Sequence, residues 1–268
     1  MTFADKELGK RLEAAEAFAC AAFAKARRRL FPECGSEWLT VAGTTVVFDG
    51  MEAPTTQTFG LGMFEEVTEA ALDEMEEFFK SRGTATMHEV CPHAGVAVME
   101  MLCRRGYVPM EVSNVLYRAV EGPEAVLGDG IRVRTVQAGE AELWGEVSAR
   151  GWTHGHKELE GFMAQMSALC VAREQSPCFL AELDGVPGAA GGLVLHEGVA
   201  LFAGAATVPE LRRRGLQGAL LAERMRYAAE AGCDLAMMVA EAGSESQRNA
   251  ERKGFRVTYT RMKWRLAD

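Results

Sequence analysis

Apolar and polar residues alternate along the chain with two different periods, and these periods separate helices from strands. Apolar residues that recur three or four positions apart predict amphipathic helices. These helices cover residues 5–30, 64–82, 96–105, 139–150, 157–173 and 246–253, and a further one runs from Leu216 to a terminating Gly232. Short apolar runs between turn residues predict strands over 39–41, 45–48, 84–90, 112–118, 131–136, 179–183, 189–196, 201–208, 235–240 and 257–266. This order predicts an α/β or α+β fold, in which helices cover a sheet.

The order of elements in the first half of the chain returns in the second half at a nearly constant distance. Three pairs of landmarks keep this distance: Gly83 and Gly232 at 149 positions, Arg105-Gly106-Tyr107 and Lys253-Gly254-Phe255 at 148, and Tyr117-Arg118 and Trp264-Arg265 at 147. Offsets that agree this closely indicate an internal duplication, in which one supersecondary plan is used twice.

Residues 201–232 join a buried strand to a helix through a loop that contains three arginines and a glycine. Such a turn is an anion site, because the first N–H groups of the helix lack partners within it and lie at the positive end of its dipole. Gly215 lets phosphate oxygens approach the backbone, while Arg212, Arg213 and Arg214 add positive charge. The alternative is a solvated charge run, but basic residues oppose the dipole at a helix N-terminus unless an anion is bound.

Residues 208–218 resemble the coenzyme A loop of the GNAT superfamily of N-acetyltransferases, which is written Arg/Gln-x-x-Gly-x-Gly/Ala. Arg212 opens the motif, Gly215 is its central glycine, and Gln217 departs from the pattern at the last position. The order of elements over residues 131–266 also resembles the GNAT fold. The resemblance implies two tandem GNAT-like domains, each a mixed, mostly antiparallel sheet flanked by helices.

By this resemblance, residues 1–122 form a degenerate GNAT-like domain and residues 129–268 form the acetyltransferase domain. The offset of 149 aligns the arginine loop with residues 63–68, which contain no glycine and two carboxylates where phosphates would lie. Negative charge there repels a pyrophosphate, so we expect the first domain to lack a cofactor loop. It either helps to shape the acceptor cleft or only stabilises the second domain.

The resemblance implies acetyl-CoA as cosubstrate and assigns residues to it. Thr207 and Val208 would lie along the pantetheine arm, and backbone amides from Arg213 to Gly218 would hold the pyrophosphate. The implied cofactor-binding residues are Thr207, Val208, Arg213, Arg214, Gly215, Gln217, Gly218 and Asn249. Asn249, on a later predicted helix, is either a cofactor contact or an ordinary surface residue.

Acetyl transfer to an amine needs a neutral nucleophile, a group that takes its proton, and N–H donors that polarise the thioester carbonyl. Glu241, at the C-terminal end of a predicted strand, is the candidate catalytic base, and Glu182 is the alternative. Either carboxylate also has an ordinary structural interpretation. Relatives place a tyrosine acid where this chain has Ala250, so another group or water must protonate the thiolate. His154 and His156 border the acceptor by resemblance, or are simple loop residues.

Composition and charge limit the classes of partner that the protein is expected to bind. The 268 residues carry a net charge of −9, of which −8 falls in residues 1–128, so the positive charge of the arginine loop is local. This pattern favours a small polyanion over a nucleic acid, which needs a broad basic face.

No apolar run reaches the roughly 18 residues that span a bilayer, and the N-terminus lacks a signal-peptide pattern. We therefore expect a cytoplasmic protein without a membrane partner. Seven cysteines without a Cys-x-x-Cys pair predict no metal.

Together these features predict an acyltransferase that moves an acetyl group from acetyl-CoA to a small-molecule or peptide amine by direct attack. A non-catalytic acyl-CoA-binding or regulatory module is the alternative, because Ala250 and the two carboxylates leave the acid-base chemistry open. Two similar domains in one chain can pack as a pseudo-dimer, so we expect a monomer or a homodimer.

Overall fold

The computed structural model describes residues 3–51, 53–121, 127–137, 139–152 and 160–267. The chain forms two compact units: the first unit comprises Met1–Arg118 and Met237–Asp268, and the second unit comprises Ala119–Ala236. The last segment of the chain therefore packs with the first. The limits 1–122 and 129–268 divide the sequence by its repeat, and they stay a prediction about the two halves.

Seven α-helices and eleven strands occur in the described residues. The helices are α1 (Lys6–Leu30), α2 (Glu69–Lys80), α3 (Val96–Arg104), α4 (Ala141–Trp152), α5 (Glu160–Ala172), α6 (Leu216–Glu230) and α7 (Glu245–Arg252). The strands are β1 (Glu37–Val41), β2 (Thr44–Phe48), β3 (Gln57–Phe59), β4 (Met87–Val90), β5 (Tyr107–Ala119), β6 (Ile131–Thr135), β7 (Cys178–Leu183), β8 (Val186–His196), β9 (Val199–Thr207), β10 (Leu235–Glu241) and β11 (Arg256–Leu266). None of these helices is long and apolar enough to cross a membrane.

The sheet of the first unit follows the order β1-β2-β3-β4-β11-β5, and β10, which enters this unit at Met237, comes next to β5. β1 and β2, both predicted as strands, form an antiparallel hairpin whose turn places Ala42 and Gly43 at positive φ (45° and 67°). Two consecutive residues of this kind give the turn a twist that matches the strands. Fully buried side chains from the sheet, from the turn after β3, and from α2 and α3 form the core: Val46, Leu61, Leu72, Met75, Phe79 and Leu102.

Strands β5 and β11 pair in a register that repeats the sequence duplication. Ser113 lies opposite Arg261, and the two residues are 148 positions apart. Each strand also contains one extra, bulged residue, Met110 in β5 and Thr258 in β11, and these are again 148 apart. Equivalent residues therefore meet about a local twofold relation, as expected when two copies of one strand pair with each other.

The second unit contains the antiparallel sheet β9-β8-β7-β6, covered by helices on both faces. Alternate residues of β7 point to opposite sides, as the period of a strand requires. Phe179 contacts Tyr227 of α6 with ring centroids 5.4 Å apart, whereas Cys178 and Leu180 pack with Trp144 of α4. Both faces are therefore buried, and α6 is held flat against the strands that precede the arginine loop.

The three largest differences between the predicted and the observed elements lie in the first unit. The helix predicted over 64–82 begins only at Glu69, because the hydroxyl of Thr68 accepts the N–H of Ala71 (3.2 Å) and ends a loop there. Strand β3 has no counterpart among the predicted strands. Its Thr58 is fully buried and bonds His88 Nδ1 at 2.7 Å, which compensates its polarity. β5 begins five residues before the predicted start.

Candidate functional site

The arginine loop of the second unit is anchored to strand β8 at its first residue. β9 ends at Thr207, and the buried Val208 donates its N–H to the carbonyl of Gly188 (2.9 Å). A short 3₁₀ turn, Pro209–Leu211, follows, and the N–H of Leu211 donates back to the Val208 carbonyl (3.1 Å). The start of the loop is therefore fixed by backbone hydrogen bonds, and the Val208 N–H is used inside the protein rather than offered to a ligand.

Two glycines outside the predicted motif allow this packing. A Cβ atom at Gly188 would lie 2.5 Å from Leu211 Cδ1 and 2.7 Å from Leu216 Cδ1. A Cβ atom at Gly151, in the last turn of α4, would lie 2.6 Å from Ala206 Cβ. Both approaches are closer than nonbonded carbon atoms tolerate. The sequence analysis missed these positions, because Gly188 precedes the predicted strand 189–196 and Gly151 follows the predicted helix 139–150.

Arg212 stabilises the loop itself. Its Nε donates to the carbonyl of Thr207 (3.2 Å), and its second guanidinium nitrogen donates to the carbonyl of Gly151 (3.2 Å). The following residue, Arg213, has φ of +59°, a left-handed conformation that costs a non-glycine residue about 1 kcal/mol or more. The loop thus holds a strained turn, and such turns concentrate at ligand sites.

The N-terminus of α6 presents free backbone donors. The first N–H that donates within the helix is that of Ala219, to the Gly215 carbonyl at 3.0 Å. The N–H groups of Leu216, Gln217 and Gly218 come earlier and have no acceptor within the helix. Gly215 precedes them at φ +88° and supplies no capping side chain. This end of the helix therefore has the open backbone donors that the predicted anion site needs, and anion binding itself stays a prediction.

Three side chains surround these donors. Arg213 and Arg214 are exposed, and neither forms an ion pair among the described residues. Gln217, the departure from the family motif, is also exposed, and its Oε1 accepts a hydrogen bond from the Thr207 hydroxyl (3.0 Å). This bond holds the Gln217 side chain at the end of β9, so it leaves the three backbone N–H groups uncapped.

The equivalent turn in the first unit is closed. The Thr68 hydroxyl accepts the N–H of Ala71, so a side chain of the protein already caps α2. The ring of Phe64 lies over Gly60, where a Cβ atom would be 2.6 Å from Phe64 Cε2. Exposed Glu65 and Glu66 add negative charge beside it. The two halves therefore differ where the sequence alignment indicates: the second turn is open to an anion and the first is not.

A second feature that the sequence analysis missed lies in β9. The register between β8 and β9 shifts between Ala190 and Gly192, where β9 contains one extra residue near Gly204. Gly204 is exposed at φ +63°, with nothing within 4 Å of a Cβ built there. Bulges of this kind locally interrupt strand pairing and often lie beside active sites. A glycine inside the predicted strand 201–208 is the signal that points to it.

Asn249 and Glu241, two further predicted residues, belong to the first compact unit. Asn249 is exposed on α7, and its Oδ1 accepts a hydrogen bond from Arg252 (2.7 Å). Glu241 is exposed at the end of β10, where its carbonyl accepts the N–H of Ser244 (3.1 Å). Ala250 is buried in the interior face of α7. The predictions for Asn249 and Glu241 are not tested by these contacts and stay predictions.

Glu182, the alternative base, is held by an ion pair. Its Oε1 accepts from Arg134 Nε at 2.8 Å, and the other guanidinium nitrogens of Arg134 bind Glu140 at 2.7 and 2.9 Å. The same arginine, together with the N–H of Gln137, lowers the pKa of Glu140. Through this ion pair Glu182 ties β7 to β6, and its role as the alternative base stays a prediction. His154 and His156 lie outside the described residues.

Solved structures share this fold across most of their length. A GCN5-related N-acetyltransferase from Kribbella flavida is 17% identical with a TM-score of 0.64, over 92% of this chain and 96% of that one. A GCN5-related N-acetyltransferase from Sphaerobacter thermophilus is 16% identical with a TM-score of 0.56, over 94% and 91%. A tandem GNAT protein from the clavulanic acid biosynthesis pathway is 14% identical with a TM-score of 0.60, over 85% and 80%. No family model and no curated protein matches the sequence.

Proposed function

Since this chain has the tandem GNAT fold, we propose that it is an acetyltransferase that moves an acetyl group from acetyl-CoA to an amine. The observation that carries the proposal is the open N-terminus of α6, set against the capped N-terminus of α2 in the same chain. The difference between the two copies at this turn supports the proposal that the second copy holds the cofactor. The other copy has lost or never had the site.

The residues at the open turn fit the phosphates of coenzyme A. Backbone N–H groups of Leu216, Gln217 and Gly218 point out of the helix start, where two or more donors can grip one pyrophosphate. Arg213 and Arg214 supply charge for the same group or for the 3′-phosphate of the nucleotide. Each hydrogen bond to a charged phosphate contributes about 1.5–3 kcal/mol.

The end of β9 would carry the pantetheine arm. The bulge near Gly204 interrupts the pairing with β8, and Thr207 ends the strand beside the loop. Acetyl-CoA, when bound, supplies an acyl group activated as a thioester. An N–C bond to the amine then replaces the C–S bond, so the products are an amide and a free thiol. Glu241 is the proposed acceptor of the amine proton, because Arg134 already occupies Glu182.

Gly215→Val tests the assignment. Valine at φ +88° is strained, and its Cβ alone would lie 3.2 Å from Ile131 Cδ1. Its added methyl groups would also stand next to the N–H groups of Leu216 and Gln217 that we propose to bind phosphate. Gly232→Val is the matched control, because Gly232 also ends a turn at positive φ (80°) but lies at the opposite end of α6. We expect calorimetric titration with coenzyme A to show at least tenfold weaker binding for Gly215→Val than for the control.

Equal binding by both variants would remove the loop from the cofactor site. Release of free thiol from acetyl-CoA across a panel of amines then tests catalysis itself. The loss of release in Gly215→Val, with the control active, would connect the loop to turnover.

A non-catalytic acyl-CoA-binding module is the second candidate. Buried Ala250 at the tyrosine position and the ion-paired Glu182 favour it, since both remove groups that acid-base chemistry would use. Binding of coenzyme A without acceptor-dependent thiol release would support this candidate. Thiol release that requires an added amine would exclude it.

A further inference from the structure

Arg224 of α6 is a buried cation without an acidic partner. Its side chain is 2% exposed, and no carboxylate among the residues that the structure describes pairs with it. Burial lowers its pKa to about 10, so the guanidinium stays charged at neutral pH. A buried charge without a counterion costs stability, and an apolar residue of similar size often stabilises a core better. The position of this arginine therefore needs a reason other than stability.

The guanidinium group lies between α6 and strand β8. Its Nη1 donates to the carbonyl of Gly192 (3.1 Å), and its Nε donates to the carbonyl of Leu220 (3.2 Å). Its Cζ lies 5.0 Å from the centre of the Phe202 ring in β9. A Cβ atom at Gly191 would lie 3.1 Å from Nη1 and 3.2 Å from Cζ. Because Gly191 has no side chain, the guanidinium of Arg224 can occupy this space.

These contacts coincide with the bulge in β9. Gly192 pairs with Ala203, whereas Ala190, two residues earlier in β8, pairs with Ala206. Between these two pairs β8 has one residue, Gly191, and β9 has two. The guanidinium group therefore contacts the β8 residue that stands opposite the bulge and binds the carbonyl of the next one.

The two ends of β9 require an extra residue in this strand but do not determine where it lies. The pairs beside the hairpin turn and the hydrogen bond from the Val208 N–H to the Gly188 carbonyl (2.9 Å) fix registers that differ by one residue. A bulge nearer to the hairpin turn would rotate Phe202 to the opposite face of the sheet, away from Arg224. The Gly192 carbonyl, beside the interrupted ladder, needs a donor, and Arg224 supplies one. Both contacts favour the observed position of the bulge.

The position of the bulge determines what β9 offers to a ligand. Gly204 is exposed there at φ +63°. Interrupted pairing leaves backbone N–H and C=O groups outside the ladder, and these can bind the amide groups of a pantetheine arm. The phosphates, in contrast, are proposed to bind at the start of α6, beyond the anchored Val208. The bulge and the arginine loop would therefore serve different parts of one cofactor.

We propose that Arg224 is a positioning residue that keeps the β9 bulge at Gly204, and that it thereby shapes the part of the site that holds the arm between the phosphates and the thioester. The inference rests on the proposed transferase function for the identity of the ligand. All of these residues belong to the second compact unit.

Amide chemical shifts of the free protein test whether Arg224 places the bulge. Arg224→Met removes the donor and the charge but keeps a long side chain, so we expect the amide signals of Gly204 and Ala205 to move. Arg224→Lys retains a cation that can donate, and its signals should stay closer to those of wild type. Met225→Ala is the matched control, since it removes a buried side chain from the same helix. It should lower the melting temperature and leave the Gly204 and Ala205 signals in place.

Calorimetric titration with two ligands tests the consequence for the cofactor. Coenzyme A contains the arm, and adenosine 3′-phosphate 5′-diphosphate has the same phosphate positions without it. For Arg224→Met we expect roughly tenfold weaker binding of coenzyme A and less than about a twofold change for the nucleotide. A general loss of stability, as in Met225→Ala, would not weaken one ligand selectively. Gly191→Ala keeps the charge but displaces Nη1, so it should act in the same direction as Arg224→Met.

Equal losses for the two ligands, or Gly204 and Ala205 signals that do not move in Arg224→Met, would overturn the positioning role while cofactor binding by the wild type stands. A wild type that binds neither ligand would overturn the proposed function instead. Signals that move in Arg224→Met and not in Met225→Ala would still support Arg224 as the residue that places the bulge.

Discussion

Glu13 makes the stability of the first unit depend on pH near neutrality. It is fully buried on α1, and burial raises its pKa from 4.5 to about 7, although Arg261 nearby opposes the shift. Its Oε1 accepts from the Tyr259 hydroxyl at 2.6 Å, and its Oε2 is a buried atom without a hydrogen-bond partner. The carboxylates of Glu16 and Glu89 face the same group and raise the pKa further.

The direction in which stability changes with pH follows from the protons that the folded and unfolded states bind. Between pH 4.5 and 7 the folded protein keeps a proton on Glu13 that the unfolded chain has lost, so stability falls as pH rises through this interval. At about 1.4 kcal/mol per pH unit, the loss approaches about 3 kcal/mol. Glu13→Gln resembles the protonated acid and carries no proton to lose. Its free energy of unfolding, relative to wild type, should therefore rise by about that amount over the interval.

Urea denaturation followed by circular dichroism from pH 4.5 to 7.5 measures this difference. Burial lowers the pKa of His88 to about 3, which gives stability a slope of the opposite sign between about pH 3 and 6.5. That contribution is the same in both proteins and cancels in the comparison. Parallel stability curves for wild type and Glu13→Gln would refute the reasoning.

Two further changes test the arginine loop. Gly188→Val places methyl groups against Leu211 and Leu216. We expect a loss of about 1–3 kcal/mol in stability, measured by thermal melting, and weaker coenzyme A binding, measured by calorimetry. An unchanged melting temperature would show that the loop does not rest on β8. Arg213→Ala with Arg214→Ala should weaken coenzyme A binding roughly tenfold, about 1.4 kcal/mol, and reduce its dependence on KCl concentration. A salt dependence equal to that of wild type would mean that neither arginine contacts a phosphate.

The order of elements and the tandem fold were predictable because they follow local periodicity. The apolar periods of helices and strands, and the offset of about 148 residues, are properties of neighbouring sequence. The solved GNAT structures that match the chain confirm the fold class. The open turn at Gly215 was predictable for the same reason, since a strand, a glycine and a helix start are adjacent in the chain.

Features that depend on distant partners were not predicted. Strand β3 has only three residues, and Thr58 is buried because His88, thirty residues later, bonds its hydroxyl. Gly188 and Gly151 matter only through side chains that fold against them from other elements. The grouping of residues 237–268 with the first unit likewise depends on which strands pair, and apolar periodicity does not encode a pairing partner.

The central claim is that the N-terminus of α6 grips the phosphates and that of α2 does not. Amide chemical shifts during a titration with coenzyme A measure both ends in one experiment. We predict saturable shifts for the N–H groups of Leu216, Gln217 and Gly218, which lack acceptors within the helix, and none for Glu69, Ala70 and Ala71 at the equivalent turn. Shifts confined to the α2 residues, or no shift at either helix at saturation, would contradict the account.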